Sequence, residues 1–163
     1  MVSVAETRYL LEQLQFSANF PDQVLHRLAQ TAKMVEMHAG TVIFREGSLN
    51  ETLYLIHTGR IALEMNVPGR GAVRILTLGP GEMLAWSALV GEGRMTATAI
   101  AIAESQLIAL PAPHMRELCE ADHEFGYHVM REMAAALARR LVATRLQLLD
   151  LFADSAPGTN HAQ

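Results

Sequence analysis

Cysteine is nearly absent from this sequence: Cys119 stands alone among 163 residues. One thiol closes no internal disulfide, so the fold must be held by its core, and a reducing compartment suits it. Charge is sparse as well, at 18% Asp, Glu, Lys and Arg, and the formal net charge is −4. A nucleic-acid surface usually carries a basic face. Here Arg139, Arg140 and Arg145 are the local basic cluster, and on a helix they read as a solvated face, so direct nucleic-acid binding is not expected. No apolar run reaches the ~18–20 residues that span a bilayer. The opening Met1-Val-Ser-Val-Ala-Glu-Thr-Arg8 lacks the basic and then apolar order of a secretory signal. A cytoplasmic protein without a membrane segment is the expectation.

Apolar residues, by contrast, make up half of the chain, enough for one domain with one core. Tyr9, Leu10, Leu11 and Leu14 recur at helical spacing, which predicts an N-terminal helix within residues 1–15. Pro21 and Asp22 mark a second helix start, with Val24, Leu25 and Leu28 as its apolar face. From Lys33 the period shortens. Met34–Met37, Thr41–Phe44, Leu53–Ile56, Arg60–Leu63, Val73–Leu76, Ala97–Ile102 and Gln106–Leu110 read as strands. Gly- and Pro-rich turns separate them, and such a series predicts a mainly β jelly roll, or double-stranded β-helix. After Pro111-Ala-Pro113, residues 114–121 read as a short helix and 123–152 as a long one. The 153–163 tail, rich in turn formers, is expected to be disordered.

Within the β region, residues 81–98 (GEMLAWSALVGEGRMTAT) have the makings of an anion cradle: glycines, small residues and Arg94. Trp86 and Met95 sit awkwardly in it. In the long helix, Met130, Ala134, Leu137, Leu141, Thr144, Leu148 and Leu151 alternate at spacings of four and three, the seam of a coiled coil. Met133, Val142, Leu146 and Leu149 read as a second stripe. Burying both predicts one stripe on the chain's own β domain and the other on a twin subunit.

Three further stretches, Gly40-Thr-Val-Ile-Phe-Arg-Glu-Gly47, Tyr54-Leu-Ile-His-Thr-Gly-Arg-Ile-Ala-Leu63 and Leu78-Gly-Pro-Gly81, carry a family likeness. They resemble the cyclic-nucleotide-binding domain of the bacterial cAMP receptor protein (Crp/Fnr-type) family, over about residues 16–152. Ala138-Arg-Arg-Leu141 with Thr144 is similar to that family's dimer helix, where a threonine reaches the adenine. The resemblance implies a ligand-dependent homodimer. It also implies a phosphate cassette of the pattern Pro-Gly-x-x-x-Gly-Glu-x-Ala-Leu…Arg-x-Ala-Thr, whose arginine and amides hold the cyclic phosphate and whose glutamate holds the ribose.

Laid gap-free from Pro80, this chain has Ala85 at the glycine, Trp86 at the glutamate, Met95 at the arginine and Thr96 beside it. Indole only donates, so Trp86 cannot accept from a ribose hydroxyl, and Met95 brings no charge. A one-residue slip would put Arg94 at the phosphate. The candidate pocket is therefore Ala85, Trp86, Ser87, Ala88, Arg94, Met95 and Thr96, with Thr144 and Arg145 from the long helix. The family's transcription factors continue into a helix-turn-helix; the sequence given ends before one, so a stand-alone member is expected.

Chemistry elsewhere is thin. The histidines show no i,i+4 metal pairing. His57 and His128 are the positions that a haem ligand, known in some relatives, would favour, but haem is not expected. Ser87 and Ser105 show no activating base. The expectation is a non-enzymatic, cytoplasmic, homodimeric regulator that acts through a protein partner. Three forms stay open: a sensor of a small anionic ligand other than an ordinary cyclic nucleotide, a cAMP or cGMP binder using Arg94, and a ligand-free interaction module.

Overall fold

The computed structural model describes residues 2–155. Helix α1 (Val4–Gln13) starts at a capping box, in which the Ser3 hydroxyl accepts the Glu6 N–H and the Glu6 carboxylate accepts the Ser3 N–H. Helix α2 (Asp22–Thr31) follows Pro21 and buries Val24, Leu25 and Leu28. The strands are β1 (Lys33–Met37), β2 (Val42–Phe44), β3 (Thr52–Thr58), β4 (Ile61–Val67), β5 (Gly71–Leu78), β6 (Met83–Leu84), β7 (Thr98–Ala101) and β8 (Ser105–Pro111). A single turn, α3 (Ser87–Val90), lies between β6 and β7, and α4 (Ala112–Ala121) and α5 (His123–Ser155) complete the described chain.

The strands form two four-stranded antiparallel sheets, ordered β1-β8-β3-β6 and β2-β7-β4-β5. Their facing sides share one apolar cluster that includes Phe44, Ile56, Ile61, Leu63, Leu78 and Leu107. The other face of the first sheet meets the helices. Alternation along β3 makes this possible: Leu53 and Leu55 point to the helical cluster, Tyr54 and Ile56 to the opposite sheet. Gly59 closes the turn after β3 with φ of +103°. A Cβ there would collide with the Ser105 side chain, so the turn requires glycine.

Several boundaries differ from the sequence reading. Helix α4 begins at Ala112, before Pro113, because a proline within the first turn removes an N–H that has no intrahelical acceptor. Strand β6 is only two residues long, too short for a periodic signal. Helix α5 runs past residue 152 to Ser155, so Ala153–Ser155 are helical; the rest of the expected disordered tail, 156–163, lies outside the described residues.

The second stripe on α5 is not a stripe. Phe125, Val129 and Met133 are buried in the helical cluster, but Val142 is 53%, Leu146 57% and Leu149 63% exposed. Met133 and Val142 are nine residues apart, about two and a half turns, and so face opposite ways. From Leu141 to Asp154 every residue of α5 is exposed. The helix is anchored to the body up to Arg140 and overhangs it beyond.

Candidate ligand-binding site

The cassette is locked to β3 at its start: Gly81 N–H donates to the Ile56 carbonyl (2.8 Å) and Ile56 N–H to that of Glu82 (2.9 Å). The Glu82 carboxylate accepts the Gly79 N–H at 2.6 Å, closing the turn beneath. At Ala85 the backbone takes φ of +64°, a positive value that no other non-glycine residue shares among the described residues. An L-residue enters that region at a cost of about 1–2 kcal/mol. Ala85 thus keeps the path that a glycine would follow freely. Trp86 then caps α3, whose amides are engaged within the turn. Ala88 N–H donates to the Ala85 carbonyl (3.0 Å), Leu89 N–H to that of Trp86 (3.1 Å), and Gly91 N–H to that of Ser87 (3.1 Å).

Beyond α3 the chain alternates. Arg94 is exposed and its Nη1 donates to the Gly47 carbonyl at 2.6 Å, on the outer side of the roll. Met95 turns inward, 3% exposed, with its sulfur 3.6 Å from Asn50 Nδ2. The residue facing the core is therefore the thioether and not the guanidinium.

What remains of a pocket inside the roll is a cavity of about 20 Å³, bounded by Phe44, Leu63, Ala85, Trp86, Met95 and Arg140 and completed by Ser87, Thr96 and Ala97. A cavity needs roughly 10–15 Å³ to admit one water, so this one has space on the order of a single water and none for a nucleotide. Trp86 is half-buried and also packs against the helical cluster, bridging the roll and the helices. Ala88 packs in the core between the sheets and does not line the cavity.

Three other expected site residues lie elsewhere: Arg94 as described, and Thr144 and Arg145 on the exposed part of α5. The Thr144 hydroxyl donates back to the Arg140 carbonyl at 2.8 Å. It overlooks a separate groove of about 510 Å³, between α5 and the β4–β5 hairpin, with Met65, Val73, Ile75 and Leu148. His57 and His128 line neither space; His128 packs beside Phe20, with ring centroids 6.0 Å apart. Among the described residues no three His, Cys, Asp or Glu side chains converge as a metal would need.

Sequence reasoning missed two arginines. Arg140, read as solvated, donates through Nη2 to the Met83 carbonyl at the head of the cassette. Burial holds its guanidinium below the usual arginine range, opposed by the charge of Glu82. Its spacing gave a usable signal: it follows Met133 by seven residues and so lies on the buried face. Arg116 of α4 donates to the Ala88 carbonyl at 2.6 Å, on the far side of α3. Two helices thus grip the cassette, at its head and at α3, through charge-assisted bonds to its main chain.

With this geometry in hand, the comparisons with known proteins are consistent with one another. The chain is 35% identical over 109 residues to the cyclic AMP receptor protein of Thermus thermophilus, covering 67% of this chain and 49% of that one. It is 27% identical over 132 residues to the CRP-like cAMP-activated global transcriptional regulator of Mycobacterium tuberculosis, covering 80% and 57%. This chain therefore spans about half the length of the curated relatives it matches. The crystal structure of the Thermus thermophilus catabolite activator protein superposes with a TM-score of 0.68 at 27% identity, covering 88% of this chain and 63% of that one. A cyclic nucleotide-binding domain from Methylobacillus flagellatus superposes with a TM-score of 0.79 at 16% identity, covering 90% and 83%, a likeness of fold. Residues 34–122, which run from the first strand through the cassette to the end of α4, match the family model of the cyclic nucleotide-binding domain. The chain belongs to the cyclic nucleotide-binding domain family, of the cAMP receptor protein type.

Proposed function

We propose that this chain is a non-enzymatic, homodimeric regulatory domain whose roll has lost the ordinary specificity for cAMP and cGMP, and that it acts through a protein partner. One observation carries the reading: buried Met95 stands where the phosphate-binding guanidinium is expected, beside a cavity of about 20 Å³. A cyclic nucleotide would enter without its charge-assisted phosphate bond, worth about 1.5–3 kcal/mol. It would also lack a ribose acceptor, because Trp86 occupies that place. At about 1.4 kcal/mol per tenfold, these losses weaken binding a hundredfold or more.

The regulatory element is the pair of grips on the cassette. A small molecule entering the roll has to displace Trp86 or Met95. Motion of α3 would then reach α4 through Arg116 and α5 through Arg140. Such a molecule shifts the balance only by binding one arrangement better than the other.

Exposed Leu141 (52%) and Leu148 (51%) on the overhanging half of α5 support a two-helix seam with a second copy. Ala134 and Met130 continue that line towards the body. The seam faces the apolar groove beside the β4–β5 hairpin, and in our reading the partner helix fills that groove.

Calorimetric titration and thermal shift with millimolar cAMP and cGMP test the roll. No saturable heat and an unchanged Tm are expected, and a micromolar isotherm for either nucleotide overturns the reading. Sedimentation equilibrium tests the seam: the parent is expected to be a dimer, and the variant carrying Leu141→Glu and Leu148→Glu a folded monomer. A parent that stays monomeric at high concentration removes the dimer.

A further inference from the structure

A second concavity lies just outside the roll, on the other side of Arg140. It is a groove of about 410 Å³ between α5, the end of β5, the head of the cassette and the α1–α2 connection. That volume falls in the range of small-molecule sites, about 300–1,000 Å³, whereas the roll cavity does not. Its apolar wall includes Phe16, Leu76, Met83 and Ala143, and Arg139 and Arg140 stand over it. We propose that this groove binds a small acidic molecule, one that carries a phosphate or carboxylate on a compact apolar body.

Charge as well as shape suits this groove to an anion. Neither Arg139 nor Arg140 has a carboxylate within ion-pair distance among the described residues, although other arginines of the chain do. Arg140 is half-buried and donates through Nη2 to the Met83 carbonyl, and no other hydrogen bond of its guanidinium is found among the described residues. A guanidinium has five N–H donors, and Glu82 acts on Arg140 only from beyond ion-pair distance, so a half-buried guanidinium is left short of a direct partner. The acidic residue lining the groove is Glu82, whose carboxylate is engaged by the Gly79 N–H. One negative charge against two positive ones leaves the groove cationic on a chain whose net charge is −4. An entering anion supplies the missing partner and the apolar wall covers its body.

Helix geometry turns most of the groove away from the proposed seam, with Arg140 at the border beside Leu137 and Thr144. Ala136, Arg140 and Ala143 follow one another at spacings of four and three on the face that continues from Met133, while Leu141 and Leu148 lie on another. The inference stands apart from the reading of the roll, and holds whether or not the roll accepts a cyclic nucleotide. It does give the cassette a second input, because an anion that draws the Arg140 guanidinium away from Met83 loosens one of its two grips.

The test uses 1-naphthyl phosphate, with neutral 1-naphthol as its uncharged counterpart, titrated calorimetrically into the parent and into variants. The phosphate is expected to bind saturably and at least about tenfold more tightly than the naphthol, the worth of one charge-assisted contact. Arg140→Gln and Arg139→Gln should each weaken it by a similar factor, and Ala143→Trp, which fills the groove, should abolish it. Arg139 is exposed, so its variant keeps the test decisive if loss of Arg140 disturbs folding. Absent binding, equal binding of both compounds, or binding indifferent to Arg139→Gln and Ala143→Trp overturns the proposal. Because Arg140 also borders the roll cavity, the Arg139→Gln and Ala143→Trp arms, which touch the groove and not that cavity, assign the binding; the roll is judged by the cAMP and cGMP titrations.

Discussion

At the scale of single residues, the cassette holds an alanine in a backbone conformation that suits glycine. Ala85 sits at φ of +64°, so Ala85→Gly gives up a small buried methyl but relieves a left-handed alanine. These terms oppose each other at about 1 kcal/mol each. Urea denaturation should place Ala85→Gly within about 1 kcal/mol of the parent, whereas β-branched Ala85→Val, with a clash added to the strain, should lose about 2 kcal/mol or more.

Glu104 yields a pH prediction. The Ala39 N–H, and then His38, hold its carboxyl below the usual carboxylate range. A depressed acid stabilises the fold above its ordinary pKa of about 4.3, and that contribution vanishes as the pH falls through the lowered value. Thermal melts from pH 7 to pH 3 should show Glu104→Gln starting lower than the parent and losing less on acidification.

Gap-free comparison placed Met95 at the arginine position, but the choice between Arg94 and Met95 was not legible from composition. Alternation at the entry to β7 buries Met95 and Ala97 and exposes Arg94 and Thr96, which supports the proposed reading with Met95 at that position.

At the scale of elements, α5 separates what a periodic pattern can and cannot convey. Heptad spacing identified the helix and suggested a seam. It could not tell which residues the body would cover, because coverage depends on where the helix leaves the sheet. Arg140 illustrates the gap: adjacent to Arg139 in sequence, it looks solvated, yet it shares the face of Met133 and reaches Met83. The α4–α5 crossing was equally hidden. A Cβ on Gly126 would lie 2.7 Å from the Cys119 carbonyl oxygen, so the two helices approach more closely than alanine allows. Alanine gains about 1 kcal/mol in helix propensity, while overpacking against a main-chain atom costs about 1–3 kcal/mol. Gly126→Ala is therefore expected to lower stability by up to about 2 kcal/mol in urea denaturation, against the ranking of isolated helices. On the other side of the cassette, Arg116→Ala should cost about 0.5–1.5 kcal/mol, since its bond to Ala88 is charge-assisted but the arginine is exposed.

At the scale of the whole molecule, the roll was the most legible part. Strand alternation and Gly- or Pro-marked turns are local signals, and all strands but β6 announced themselves through them. The series of strands pointed to a jelly roll, but their pairing order was not legible, because hydrogen-bond partners distant in sequence leave no periodic trace. The candidate site was legible as a cassette; the groove beneath α5 was not, being made of segments from the α1–α2 connection to α5 that no single window contains. If α5 joins two copies, burial of its overhang couples stability to mass action. The parent Tm should rise with protein concentration, and that of the Leu141→Glu, Leu148→Glu variant should not. Differential scanning calorimetry over a hundredfold range of concentration checks this.

The overhang also gives one continuous helix two regimes of amide protection. Near Phe125, Val129 and Met133, α5 is clamped under the sheet, and its amide protons should exchange with deuterium only when the whole domain opens. From Leu141 to Asp154 the side chains are exposed. In a lone chain those amides should exchange by fraying, orders of magnitude sooner. The boundary between fast and slow exchange would then fall at Arg140, the residue that ties α5 to the cassette, and its position along the helix would report directly on whether that tie is made.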